Sequence, residues 1–360
     1  MNCNKVKSLT DEKFFQMINH KMEQDRVPLS GTIDLTRKCN LKCLHCYHEH
    51  NNSELKKEDS ELDTDKWISI IDEIAEAGCL YLLITGGEPL LRKDFIEIYT
   101  HIKMRGMIVT VFTNGTLITD EILNLFADLP PYDLEISVYG ATPEIYEKIT
   151  GVPGSFGKFT EGIKKLINNK IKFSLKTVLM THNLHEHSAI KEIATMCGAD
   201  FRTDAAIFPR LNGDMTPVNL RVNPKEAVEI ELSDDIILNL WKEYYKEMQG
   251  SIFSETLYNC GAGLTDFYID SRGTLLPCVM NVEPEYDLTR GDFLTGWHKV
   301  ISGIMNKKVD NDFVCKNCEK IVLCGYCPAF FKLETGSENI HSEYLCEMGQ
   351  HRYKIIMNQT

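Results

Sequence analysis

Ten of the thirteen cysteines in this 360-residue chain fall into two groups, three at positions 39, 43 and 46 and seven between 260 and 346. The first group lies in TRKCNLKCLHCYHEH, with the spacing C-x3-C-x2-C. Thiolates are soft ligands that suit zinc and iron in clusters. A structural zinc site and a [4Fe–4S] cluster are each normally closed by four protein ligands. Three close thiolates leave one iron open, and a small molecule with an amine and a carboxylate can chelate that corner. A zinc knuckle completed by His45, His48 or a distant residue is the other reading of this run. By themselves His48 and His50 read as solvated loop residues.

The second group is Cys260, Cys278, Cys315, Cys318, Cys324, Cys327 and Cys346, written C-x12-G-x4-C, C-x2-C-x5-C-x2-C and C, with Gly273 as the internal glycine. The run NCGAGLTDFYIDSRGTLLPC reads as a hairpin closed by SRGT, and CKNCEKIVLCGYC alone would suit a zinc ribbon. Cys3, Cys79 and Cys197 fit neither pattern and read as plain thiols.

Elements that position the first group follow from the apolar patterning. Strand-like runs cover 31–36, 80–85, 107–112, 133–138, 171–179 and 200–208. Amphipathic stretches separate them: Asp63 to Ala77, Lys93 to Lys103, Asp120 to Phe126, Phe156 to Asn168 and Leu184 to Met196. Six βα units imply a parallel sheet covered by helices. The strands read as mostly apolar on both faces, as a covered parallel sheet requires. The pattern fits either an open doubly wound sheet or an incomplete (β/α) barrel. Residues 210–233 read as a surface excursion and 234–249 as one more helix. Residues 1–30 read as a lead-in, 31–250 as the barrel and 251–360 as a cysteine-rich extension.

Polar and glycine residues stand where these strands end. LITGGEPLL places Gly86, Gly87, Glu88 and Pro89 after the second, FTNGTL places Thr113 and Asn114 after the third, and ISVYG places Ser137 at the end of the fourth. Each motif alone makes a good turn. Together they sit at the carboxyl ends of successive strands, the face on which such folds build active sites. Tyr139, Tyr268 and Tyr326 read mainly as core or surface rings.

The formal charge is −13, so a phosphate backbone is a poor partner. Apolar runs stay short of the ~18 residues that span a bilayer, and the N-terminus lacks a signal-type apolar stretch. The expectation is a cytoplasmic protein without membrane or nucleic-acid partners, in a compartment where clustered cysteines bind metal.

The C-x3-C-x2-C run, with GGEP, TNG and Ser137 at the following strand ends, resembles the radical S-adenosylmethionine (radical SAM) superfamily. The resemblance implies a partial (β/α)6 TIM-like barrel. It implies that Cys39, Cys43 and Cys46 hold a [4Fe–4S] cluster whose open iron binds S-adenosylmethionine. One electron then cleaves the sulfonium to a 5′-deoxyadenosyl radical, which abstracts a substrate hydrogen. By the same resemblance Gly86, Gly87, Glu88 and Pro89 engage the cofactor's amino group, and Thr113, Asn114 and Ser137 lie along it. Lys176 is a weaker candidate.

The later cysteines are similar to the SPASM extension, whose usual C-x3-C is C-x2-C here. The resemblance implies an inner auxiliary [4Fe–4S] cluster on Cys260, Cys278 and Cys327 and an outer one on Cys315, Cys318, Cys324 and Cys346. With three protein ligands, the inner cluster would keep an open iron. The expected total is therefore three clusters.

Enzymes of this type mostly modify peptides. YGATPEIYEKITGVPGSF is also like segments of ribosomal-peptide maturases. The expected activity is a thioether or carbon–carbon crosslink in a ribosomally made peptide. A sulfatase-type maturase, a small-molecule dehydrogenase and a zinc-stabilised binding protein without catalysis are the other readings. Expected partners are a precursor peptide and a flavodoxin- or ferredoxin-type electron donor. About thirty residues precede the first strand, so leader recognition is expected to use a separate protein or another surface.

Overall fold

The computed structural model describes residues 11–48, 61–248, 255–310 and 313–358. Strands β1 (Ser30–Thr36), β2 (Tyr81–Gly86), β3 (Ile108–Thr113), β4 (Asp133–Ser137), β5 (Ser174–Val178) and β6 (Asp200–Asp204) are parallel and lie side by side in chain order. Every crossover therefore steps the same way. That is barrel winding, whereas a doubly wound sheet reverses at a switch point. β6 does not return to pair with β1, so the barrel stays open.

Helices α2 (Thr64–Glu76), α3 (Phe95–Met104), α4 (Asp120–Asp128), α5 (Pro143–Thr150), α6 (Ser155–Asn168) and α7 (His187–Cys197) fill the crossovers, after the lead-in α1 (Asp11–Asp25). Their starts are written in side chains. Asp63 accepts from Lys66 N, Thr119 from Ile122 N and Thr142 from Ile145 N, each satisfying an otherwise orphaned amide. Two short helices escaped the periodicity. α5 has Thr142 before it, Pro143 at its first turn and left-handed Gly151 after it. α8 (Pro224–Glu231), capped by Asn223, lies inside the stretch read as an excursion. Eight residues are too few for an apolar stripe to stand out. α9 (Asp235–Met248) follows as expected.

The two sheet faces differ, which corrects the reading of apolar strands on both. Ile33, Leu35, Leu82, Ile84, Val109, Val111, Leu134, Ile136 and Leu175 are fully buried in the main core, with Trp67, Ile70, Ile98 and Phe126 of the helices. The alternate positions are mixed: Leu83 and Phe112 are apolar, but Asp34, Thr85, Glu135, Lys176 and Arg202 are polar or charged. Several of these line a cavity instead of a packed interior.

The expected boundary at 250–251 lies outside the described residues. The sheet continues beyond it. β7 (Asp266–Ile269) pairs parallel with β1, Ser30 opposite Asp266 and Ile33 opposite Ile269. β8 (Thr274–Leu276) and β9 (Tyr286–Asp287) then add antiparallel, so the SRGT hairpin forms as expected and becomes part of the barrel's own sheet. Phe267 of β7, with Phe293 and Trp297 of α10 (Phe293–Lys299), belongs to the main core. α11 (Pro328–Thr335) and α12 (Glu343–Asn358) pack with α8 and α9 in a second core. The EYLCEMGQHRYKIIM stripe is thus a packing face. Among the described residues no helix is long and apolar enough to cross a membrane.

Because Phe267 joins the hairpin to the barrel, Phe267→Ala should lower stability by about 3–5 kcal/mol. Denaturant unfolding followed by circular dichroism should show the loss in the barrel's helical signal too. A shift confined to the hairpin's own near-ultraviolet signal would contradict a shared core.

Candidate active site

The loop carrying Cys39, Cys43 and Cys46 follows β1 and has no regular structure of its own. Its backbone groups are satisfied by neighbours, as buried peptide groups must be. Gly87 N donates to Thr36 O at 2.7 Å and Glu88 N to Lys38 O at 2.9 Å. From the other side Lys42 N donates to Thr150 O at 2.8 Å and Leu44 N to Ile149 O at 2.9 Å. The last turn of α5 thus holds the middle of the loop, and a Cβ on Gly151 would sit 2.8 Å from Lys42 O. The glycines of GGEP act the same way. A Cβ on Gly86 would strike Thr36 O, and one on Gly87 the carbonyls of Lys38 and Arg37. Their bareness serves the close approach of two loops, and both glycines also border the cavity.

Glu88 is fully buried and does not line the cavity. Its carboxylate accepts from Thr113 Oγ1 and Asn114 N, both at 2.7 Å, and from Leu90 N at 3.2 Å. Burial pushes this carboxyl up to about 7, with the three donors acting against it. Glu88 therefore ties β2's exit to β3's exit and aims Thr113 and Asn114. Asn114 Nδ2 donates to Asn40 Oδ1 at 2.8 Å, beside Cys39 Sγ at 4.0 Å. Pro89 also lies behind the cavity wall.

The cavity, about 770 Å³, sits at the carboxyl ends of the strands. Cys39, Cys43, Cys46, Gly86, Gly87, Thr113, Asn114, Ser137 and Lys176 line it, and so do Cys260, Cys278 and Cys327. The two cysteine trios, more than 200 residues apart in sequence, thus face one space. Cys315, Cys318, Cys324 and Cys346 stay outside it. Cys315 stands on the turn Val314–Asn317, Cys324 follows Ile321–Leu323 and Cys346 lies on α12. Gly349 lets α12 approach, for a Cβ there would lie 2.6 Å from Cys324 Cβ.

The thiols are coupled within these same sets. Burial pushes Cys39 up to about 11 and Cys43 further, each raised again by Cys46. Burial pushes Cys278 up to about 12, then Cys327 and Cys260 add to it. Cys324 is likewise pushed up to about 12, first by burial, then by Cys315, Cys318 and Cys346. Buried thiolates that repel one another need a polycation to hold them ionised. All-thiol sets of three, three and four fit iron–sulfur clusters. Among the described residues no three Cys, His, Asp or Glu side chains converge as a single-ion site. Cys327 reaches the inner trio despite the shortened spacing. It caps α11, its sulfur accepting from Phe330 N at 3.4 Å.

The structure places further residues at and beneath the cavity, of which Asp34, Glu135 and Arg202 carried no sequence signal. Asp34 is fully buried beneath the cavity, accepts from Tyr268 Oη and stands 3.0 Å from His48 Nε2. His48 is therefore a buried wall residue, not a solvated one, while His50 lies outside the described residues. His45 and Tyr139 also line the cavity, rings edge to face at 4.6 Å. Lys176 Nζ bonds Glu135 at 2.7 Å over the Phe112 ring, and burial lowers it to about 8. Arg202 meets the same Glu135 at 2.8 Å. Alternation along β1, β4, β6 and β7 could have flagged these inward positions. Tyr326 instead bonds Leu257 O, Cys79 is buried at the start of β2, and Cys3 lies outside the described residues.

Residues 33–194 match the Radical SAM superfamily model. Among relatives, an AdoMet-dependent heme synthase of Methanosarcina barkeri is 36% identical over 46% of this chain and 47% of its own length. A PqqA peptide cyclase of Bradyrhizobium diazoefficiens is 25% identical over 81% of this chain and 79% of its own. The mycofactocin maturase MftC of Mycobacterium tuberculosis is 27% identical over 75% and 70%. Streptococcus suis SuiB bound to its precursor peptide SuiA shares the fold, with a TM-score of 0.70 at 19% identity over 96% of this chain and 83% of that one.

Gly87→Ala should push the cluster loop off its carbonyl contacts and lower the iron content of anaerobically purified protein by about four per chain. Unchanged iron would contradict the packing role. Glu88 favours the folded state below about 4.5 and loses that advantage as pH rises through about 7, because its folded value lies above its ordinary one. Thermal unfolding across that window should fall with pH more steeply in the native chain than in Glu88→Gln.

Proposed function

We propose that this chain, whose residues 33–194 match the Radical SAM superfamily model, is a radical SAM enzyme that installs a crosslink, thioether or carbon–carbon, in a ribosomally made peptide. The carrying observation is the shared cavity, lined both by Cys39, Cys43 and Cys46 and by Cys260, Cys278 and Cys327. The relatives that match over most of the chain include a peptide cyclase and a maturase by name, whereas the heme synthase matches through less than half.

In this reading Cys39, Cys43 and Cys46 hold the cluster that, with S-adenosylmethionine, supplies the hydrogen-abstracting radical. Thr113, Asn114 and Ser137 border the cofactor, aimed by Glu88 from behind. Closing a crosslink removes one electron and one proton from the substrate. Cys260, Cys278 and Cys327 hold an electron acceptor across the cavity, with an open corner for a substrate thiolate. Cys315, Cys318, Cys324 and Cys346 hold a second one, farther from the substrate. A flavodoxin or ferredoxin supplies the initiating electron, and a separate protein or another surface of this chain recognises a leader segment.

The test is anaerobic incubation of the cluster-loaded enzyme with S-adenosylmethionine, reductant and a cysteine-bearing candidate peptide. Methionine, 5′-deoxyadenosine and a peptide lighter by two hydrogens are the expected products. Cys39→Ala should abolish cofactor cleavage. Cys278→Ala should keep cleavage yet lower crosslinked product by roughly 100-fold, about 2.7 kcal/mol. A peptide of unchanged mass alongside vigorous turnover of a small molecule would defeat the peptide reading.

A further inference from the structure

The open side of the barrel ends in β6, which packs mainly on β5 and α7 among the described elements. The ladder between β5 and β6 fixes which way each peptide group points. Leu179 N donates to Asp204 O at 2.7 Å, with Val178 opposite Asp204. In a parallel ladder, Asp200, Arg202 and Asp204 therefore turn both N–H and C=O toward β5. Phe201 and Thr203 turn theirs outward, and the structure gives those outward groups no partner among the described residues. The side chains alternate in the opposite sense. Arg202 and Asp204 face the cavity, while Thr203 bonds His187 of α7 at 2.9 Å on the outer face.

A bare strand edge is a template for another strand, and folds usually blunt it with charge, bulges or a covering element. Here the two inward charges are already engaged. Arg202 is forked onto Glu135, and Asp204 accepts from Ala206 N at 2.8 Å. The other end of the sheet is different. β9 is two residues long and does not border the cavity.

Resting on the peptide reading above, we propose that an extended segment of the substrate peptide adds to β6 as the next strand of the barrel. It pairs its backbone with Phe201 and Thr203. The pleat then decides what reaches the chemistry. A peptide residue level with Arg202 or Asp204 points its side chain into the cavity, and its neighbours point away. Backbone pairing gives affinity that tolerates varied sequence, and the alternate inward positions choose the residue to be modified.

The probe is a peptide of roughly 12 residues with one cysteine, twice the length of a typical strand. It is selected from a displayed random library on the full cluster-loaded chain with S-adenosylmethionine, and kept if it loses two hydrogens. Each of its amides is then N-methylated in turn. Alternate positions should weaken binding about tenfold, roughly one hydrogen bond, while intervening ones stay within about twofold. Hydrogen exchange at the Phe201 and Thr203 amides should slow at least tenfold in the complex. A processed peptide with no alternation, or one that leaves those two amides unprotected, overturns the edge proposal and leaves the peptide reading standing. A concentration-dependent dimer that protects Phe201 and Thr203 without peptide overturns it as well. If no library member loses hydrogens, the peptide reading fails and the edge proposal falls with it.

Discussion

An irregular loop cannot satisfy its own backbone, and in this protein that loop carries the chemistry. Between β1 and residue 48 the three N-terminal cysteines sit in a segment without helix or strand. Its shape is imposed by carbonyl and amide groups from two other places, the GGEP turn and the last turn of α5. Both contacts need glycine, because a single Cβ at position 86, 87 or 151 would meet backbone oxygen. Glu88 extends the constraint one strand further by clamping the TNG turn. The order of strands β1, β2 and β3 in the sheet is thus a requirement of the site, since only adjacent strand ends can brace one another this way.

The same sheet explains how two remote cysteine sets come to share a space. β7 continues the barrel beside β1, and its inward residue Tyr268 bonds Asp34 of β1 across that seam. The hairpin therefore enters with its register set against the strand that launches the cluster loop. Cys260 precedes β7 and Cys278 follows β8, so the turns at the two ends of the hairpin deliver both. The outer four cysteines lie on short turns and on α12, packed through the second core, and stay out of the cavity. A buried carboxylate under a cavity is costly unless bonded, and the phenol of Tyr268 meets part of that cost.

Much of this was legible in the residues. The six strands and most crossover helices followed from apolar spacing, and the division of the cysteines followed from motif spacing. What escaped has physical causes. α5 and α8 are too short to show a stripe, although their caps were present in the sequence. Asp34 and Arg202 were hidden because a strand's inward side reads as ordinary polarity until the fold shows that it faces a hole. The packing role of the GGEP glycines was hidden too, since nothing local says that Lys38 O lies against them. The continuity of β1 with β7 depends on a pairing 236 residues apart (Ser30 with Asp266), and no local pattern encodes it.

A sheet with two unlike ends also makes a structural argument about traffic. One end is sealed by an antiparallel hairpin whose flanking turns hold cysteines, so no chain can add between β1 and that wall. The other end stops at β6, with its inward charges already satisfied and its outward backbone groups without a partner among the described residues. A barrel that closed fully would exclude a polymer from its interior, and one that opened at both sides would let water reach a radical. Closing one side with the cysteine-bearing hairpin and leaving the other as an edge strand resolves both demands at once. The strand missing from the barrel is then the place where a substrate can be both held and shielded.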